Sequence, residues 1–143
     1  MSTQQLLHTL DLFMTMDTLS TLVRRYVEEL SSALESVGLT AVQLNMLHRI
    51  KIEGQLNQTI IVQEMGVTPV SIDKQIKAFL GAGLVDSTPN HKNRRENTLR
   101  LTSTRAELYA HANLLATELT SVYSSRLTVS ELETLQSLLA KLK

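Results

Sequence analysis

Cysteine is absent from the 143 residues. With it go disulfides, thiolate zinc sites, iron–sulfur ligation and cysteine nucleophiles, and its absence fits a reducing compartment. Aromatics make up only 3% and tryptophan is missing, which leaves no broad stacking surface for single-stranded nucleic acid or sugars. Apolar runs are short. None approaches the roughly 18–20 residues that a membrane span needs, and no charged-then-apolar leader opens the chain. The expectation is a cytoplasmic protein with no membrane partner. Gly-rich phosphate loops, nucleophile elbows and paired carboxylates are missing too, so neither an enzyme nor a cofactor is expected and no catalytic residue is nominated. The histidines, at 8, 48, 91 and 111, are too scattered for a spacing-defined metal site.

What is present is apolar material, at 43% enough to fill a core. The charge sums to zero but is unevenly spread. Between Gly66 and Arg105, Lys74, Lys77, Lys92, Arg94, Arg95, Arg100 and Arg105 stand against Asp73, Asp86 and Glu96. Residues 1–65 and 106–143 are both net acidic. A basic segment between acidic ones is the footprint of a face that meets a polyanion.

Hydrophobic periodicity lays out the elements. From about Gln4 to Ser36 there is no Gly or Pro, and Leu19, Val23, Tyr26, Val27, Leu30 and Leu34 recur at spacings of three and four. That predicts one long amphipathic helix ending at Gly38. Thr40 with Gln43 forms a capping box for a second helix, which carries Leu44, Leu47 and Ile50 and closes at Gly54. Asn57 can cap a short third helix with Ile61, Val62 and Met65, ending at Gly66. Thr68 caps a fourth, with Pro69 at its first position, where a missing N–H costs nothing. Ile72, Ile76, Phe79 and Leu80 give that helix an apolar face before Gly81 and Gly83 end it. Met14, Met16, Met46 and Met65 read as core fillers.

The pattern then changes from helical to alternating. Leu84–Thr88 and Thr98–Thr102 are strand-like runs around a polar stretch, Pro89 to Asn97, and predict a β-hairpin with an exposed tip. Helical spacing returns at Leu108, Ala112, Leu115, Leu119, Val122 and Tyr123, and Thr128 with Glu131 caps a last helix.

A short helix, a tight turn at Gly66-Val67, a second helix and a basic hairpin make a helix-turn-helix followed by a wing. The second helix is expected in the major groove of duplex DNA, presenting Pro69, Val70, Ser71, Asp73, Lys74, Gln75 and Lys77 outward. Lys74 and Lys77 suit phosphates, and so does the helix N-terminus with the Thr68 hydroxyl. Ser71 and Gln75 can bond base edges, and Val70 can touch a thymine methyl. Asp73 is expected to pair with Lys77 four residues on. Lys92, Arg94 and Arg95 at the hairpin tip suit a narrow minor groove.

These residues resemble one family in particular. Gly66-Val67-Thr68, Ile72, Ile76, Phe79, Gly83-Leu84-Val85, Asn93-Arg94-Arg95 and Leu101-Thr102, with Leu39-Thr40, Gln43 and Leu47 upstream, are similar to the core signature of MarR-type regulators. The resemblance implies a mainly α fold with a small β wing, in which long dimerisation helices flank a winged helix-turn-helix. Residues 1–36 are then an N-terminal dimerisation helix, 37–102 the DNA-binding domain and 103–143 C-terminal dimerisation helices. It further implies a homodimer on a pseudo-palindromic operator, acting as a repressor that a small anionic or phenolic ligand releases. Candidate ligand residues are Tyr26, His48 and Tyr109. No metal is implied.

The chain departs from the family pattern at several positions. Asn93 stands where an Asp usually pairs with the Arg two residues on, and Ser87 and Thr88 stand where an Arg is common. Lys74 replaces an Arg, losing the bidentate fork to guanine. Ile60 replaces a polar residue and Arg105 a Gly. These changes, with the zero net charge, leave a second reading open: a protein-interaction module that kept the fold and lost DNA binding.

Overall fold

A computed structural model of the chain describes residues 1–54, 58–89 and 97–143, with the backbone alone at 58–60, 65, 89 and 97. Helix α1 runs Thr3–Ala33, opened by a reciprocal capping box in which Ser2 Oγ accepts from the Gln5 N–H and Gln5 Oε1 from the Ser2 N–H. It ends three residues before the expected Ser36, because its last turn tightens into a 3-10 turn at Glu35–Val37. The chain leaves through Gly38 at φ +71°. The tightening lets Leu34 and Leu39, on either side of the bend, both enter the core.

Helix α2 (Ala41–Glu53) carries the capping box expected at Thr40 and Gln43, and Gly54 caps its C-terminus. Helices α3 (Gln58–Met65) and α4 (Pro69–Gly81) follow. Asn57, the expected cap of α3, lies outside the described residues. Strands β1 (Val85–Pro89) and β2 (Asn97–Leu101) form an antiparallel pair with Val85 opposite Leu101 and Asp86 opposite Arg100. Each sits within one residue of its expected bounds. Val85 and Leu99 are buried, while Asp86, Ser87, Thr88 and Arg100 are exposed, so the alternation turns one face of the ribbon inward. Helix α5 (Ala106–Ser124) returns along the body and α6 (Val129–Ala140) closes the chain, its N-terminus capped by Thr128 and Glu131 as expected.

One core joins these pieces. It holds Leu30 of α1 and Leu34 just after it, Leu44, Met46, Leu47 and Ile50 of α2, Ile61 of α3, Ile72, Ile76 and Phe79 of α4, Val85 and Leu99 of the ribbon, and Ala112 of α5. Every apolar position read as inward on α2 and α4 lies in it except Leu80, which is exposed.

The long helices behave differently. None of residues 1–29, all of them described, is buried, and every residue of α6 is exposed. Met46 fills the core as expected, but Met14 and Met16 are 62% and 50% exposed. The reason is geometric: α1 is 31 residues long, about 46 Å, and among the described residues nothing buries its first half. Leu6, Leu7, Leu10 and Phe13 on α1, and Leu132, Leu135, Leu138 and Leu139 on α6, are left open. Among the described residues no helix is long and apolar enough to cross a membrane.

Candidate nucleic-acid interface

The turn between α3 and α4 is set by Gly66 at φ +65°, a left-handed conformation that a side chain disfavours. Its N–H still reaches Val62 O at 3.2 Å, so α3 ends without an orphaned donor there. Thr68 then caps α4, its Oγ1 accepting from the Ser71 N–H at 3.1 Å, and Pro69 takes the first position. The first turn holds no acidic residue. Its free N–H groups and positive dipole end are therefore unopposed, the arrangement that receives a phosphate. Replacing Thr68 by Ala is expected to cost about 1 kcal/mol of stability, and replacing it by Ser almost nothing. Urea unfolding of the two variants at one protein concentration measures both; equal loss in each would show that the hydroxyl bond is not what matters.

Burial of Ile72, Ile76 and Phe79 decides which way α4 faces. Pro69, Val70, Lys74 and Lys77 are turned outward, with Val70 79% exposed. Lys77 Nζ sits 3.0 Å from Asp73 Oδ2, the pairing expected from their spacing. It ties down Asp73 more than it removes Lys77, whose side chain is still largely exposed. Among the described residues Lys74 has no ion pair. Ser71 and Gln75, expected on the outward face, lie half-buried along its flank. Gln75 Oε1 accepts from Gln43 Nε2 of α2 at 2.8 Å.

The far end of α4 anchors the wing. Leu84 N–H bonds Phe79 O at 2.9 Å and Gly83 N–H bonds Leu80 O at 3.1 Å, the paired closure that a left-handed residue allows. Gly83 supplies it at φ +70°. Thr102 Oγ1 then donates to Gly83 O at 2.6 Å, and Thr102 N–H to Leu84 O at 3.0 Å. The base of the ribbon is thus fixed directly to the end of α4. Lys92, Asn93, Arg94 and Arg95 lie outside the described residues. Ser87 is exposed on β1, and Arg105 is an exposed residue at the start of α5 that supplies no side-chain cap.

Two further contacts brace the helix-turn-helix, and neither was visible in the sequence. Arg49 of α2 pairs with Glu64 of α3 and also donates from Nε to Asn45 Oδ1 at 2.9 Å. Gln43 to Gln75 is the second. Both join residues far apart in the chain, and single-sequence spacing carries no signal for such pairs.

The candidate ligand residues separate into two places. His48 Nδ1 and Tyr109 Oη are 3.0 Å apart, joining α2 to the start of α5. Burial holds the Tyr109 phenol above its ordinary pKa. Tyr26 lies elsewhere, bonded to Thr120 at 2.8 Å and packed edge-on against Tyr123 at 5.3 Å. Tyr109 and Thr120 stand eleven positions apart on α5, about 16 Å of helix. Tyr123 donates to Glu29 at 2.6 Å, and chiefly through this bond its phenol is held above the ordinary value. The Arg126 guanidinium lies 5.5 Å from the centre of the same ring. Tyr26 therefore belongs to the seam of α1 and α5, apart from the His48–Tyr109 pair.

Residues 39–97 match the model of the MarR family. No curated protein sequence matches the chain. A Cys-to-Ser variant of MarR from Escherichia coli in complex with operator DNA has a TM-score of 0.75 at 20% identity, over 92% of this chain and 95% of that one. The transcriptional repressor CouR bound to a 23-mer DNA duplex is 26% identical, with a TM-score of 0.73 over 87% of this chain and 89% of that one. A MarR family protein of Mycobacterium tuberculosis in complex with p-aminosalicylic acid is 22% identical, with a TM-score of 0.68 over 87% and 95%. These likenesses run well beyond the matched domain into the long helices. Over residues 39–97 the chain is similar to the MarR family, and its fold is the winged helix of these solved structures.

Proposed function

We propose that this protein is a cytoplasmic, dimeric transcription regulator that binds a pseudo-palindromic operator, represses from it and is released by a small anionic or phenolic ligand. The observation that carries the reading is the outward face of α4. Its N-terminus is capped but not neutralised, Lys74 is unpaired among the described residues, and the helix is held by a buried apolar face. In this reading Thr68, Pro69, Val70, Ser71, Lys74, Gln75 and Lys77 meet the major groove, and Lys92, Arg94 and Arg95 meet the minor groove beside it. The duplex complexes of the E. coli and CouR proteins support the partner, and the p-aminosalicylic acid complex of the M. tuberculosis protein supports the ligand class. The proposed division is 1–36 and 103–143 for dimerisation and 37–102 for DNA. His48 and Tyr109, where α2 meets α5, are the better-supported pair for ligand contact, since a molecule there touches both parts.

The test is selection from a genomic duplex library at two salt concentrations, followed by salt titration on the selected operator. One enriched pseudo-palindrome with affinity falling steeply in salt supports the regulator. In a dimer each Lys74 contacts one phosphate. Lys74→Ala is expected to shallow the log–log salt slope by about two, close to one per phosphate lost, without changing the preferred sequence. An unchanged slope removes Lys74 from the phosphate contacts. Weak, salt-insensitive binding to every duplex favours the protein-interaction reading instead.

A further inference from the structure

Gln43 makes two hydrogen bonds at once. Its Oε1 accepts from the Thr40 backbone N–H at 2.9 Å, which completes the capping box, and its Nε2 donates to Gln75 Oε1 at 2.8 Å. The polarity of this relay is determined at its root. A backbone N–H can only donate, so the Gln43 oxygen must face Thr40 and its nitrogen must face α4. A nitrogen facing Gln75 must in turn meet an oxygen. Gln75 is therefore held with its carbonyl turned toward α2 and its NH2 group left over. The end of the half-buried Gln75 amide that faces away from α2 is its NH2 group, a donor.

We propose that Gln43 is a positioning residue that sets sequence preference through the amide orientation of Gln75. A glutamine free at both ends favours adenine, accepting from N6 and donating to N7. With its oxygen turned toward α2 and its NH2 outward, Gln75 favours base edges that accept, the O6 and N7 of guanine or the O4 of thymine. Gln75 lies one turn beyond Ser71 on the flank of the face that carries Val70, Lys74 and Lys77, next to the groups assigned to the groove. The inference rests on the reading of α4 as the groove-reading helix. A bare structural role for the same bridge, as a staple of α2 to α4, makes a different prediction: its loss weakens the protein and all operators alike.

Gln43→Glu separates the two. Glutamate at this position preserves the capping box, but both of its oxygens accept. One takes the Thr40 N–H, and the other repels the Gln75 carbonyl; turning the Gln75 amide over brings its NH2 to the carboxylate and its oxygen outward. Selection of randomised duplexes by the full-length variant is expected to move one position per half-site from guanine or thymine toward adenine or cytosine, by about five- to tenfold in relative affinity. The added charge lowers affinity for every duplex alike, so the ratio between bases is the readout. Gln75→Ala is expected to flatten the same position. In the free protein, nitrogen-15 spectra report the turn directly, as slower exchange and a shifted Gln75 side-chain NH2 in Gln43→Glu.

A moved preference together with a turned amide supports the inference. If the wild-type chain selects an operator and neither variant changes its base preference, the inference fails and the regulator reading stands. A turned amide with an unchanged preference also overturns it, because Gln75 then reads no base. If the wild-type chain selects no duplex and shows no salt dependence, both fall together.

Discussion

Glutamate at both Leu135 and Leu139 is expected to turn the protein into folded monomers that have lost operator affinity by about a hundredfold or more. Both side chains sit on α6, four residues apart on one side, and the whole helix is exposed in the protomer. The winged-helix core draws nothing from it. Replacing the two leucines therefore removes no buried contact within the chain, and the protomer keeps its fold. What changes, in the proposed dimer, is the contact between copies. Charges placed in an apolar seam must be desolvated without partners, which dimerisation cannot sustain. A palindrome bound by a linked pair of reading heads gains roughly 100- to 10,000-fold over one head alone, and that gain disappears with the dimer. Sedimentation reads the mass, from twice 16.0 kDa to 16.0 kDa, and a titration on the selected operator reads the affinity. A variant that stays dimeric, or a monomer that binds as tightly as the wild type, rules out α6 as the seam.

Phe79→Ala is expected to destabilise the protein by about 3–5 kcal/mol, the usual range for emptying a buried aromatic site. Phe79 is 1% exposed and packs in the core with Ile72 and Ile76, and its carbonyl also receives the Leu84 N–H that ends α4. Truncating it leaves a cavity under the helix that carries the proposed groove contacts. The total stability of a domain this size is about 5–15 kcal/mol, so much of it is at stake. With a urea slope of about 1.5–2 kcal/mol per molar, the midpoint is expected to fall by roughly 1.5–3 M. Val70→Ala on the opposite face is the control. That side chain is 79% exposed, and its truncation should stay within about 0.5 kcal/mol of the wild type. Measured at one protein concentration, equal stability of the two variants would contradict the assignment of α4's inner face.

Between these effects lies a division of labour along the chain. The core around α2, α4 and the ribbon sets the orientation of α4, and with it which residues can reach a groove. Helices α1 and α6 contribute little to that core and leave many of their leucines open. Stability and dimer formation are accordingly expected to respond to different substitutions, Phe79 to the first and Leu135 with Leu139 to the second.

Most of the winged-helix frame was legible from residue order. Periods of three and four, capping pairs at Thr40 with Gln43 and Thr128 with Glu131, the Thr68-Pro69 start and glycines at 54, 66 and 83 all mark local events. Caps and turns are short-range chemistry, determined by residues within about five positions of one another, so a single chain states them. The Asp73–Lys77 pair was legible for the same reason. What only the tertiary structure decided is where distant residues meet. It turned Ser71 and Gln75 from the outward face to its flank and bound Gln75 to Gln43. It joined Arg49 to Glu64 and His48 to Tyr109, and took Tyr26 away to the seam of α1 and α5. It also left Met14 and Met16 outside the core they were expected to fill. Periodicity shows that a helix face must be covered; whether the cover comes from the same chain depends on where the helix points, and that is decided by packing.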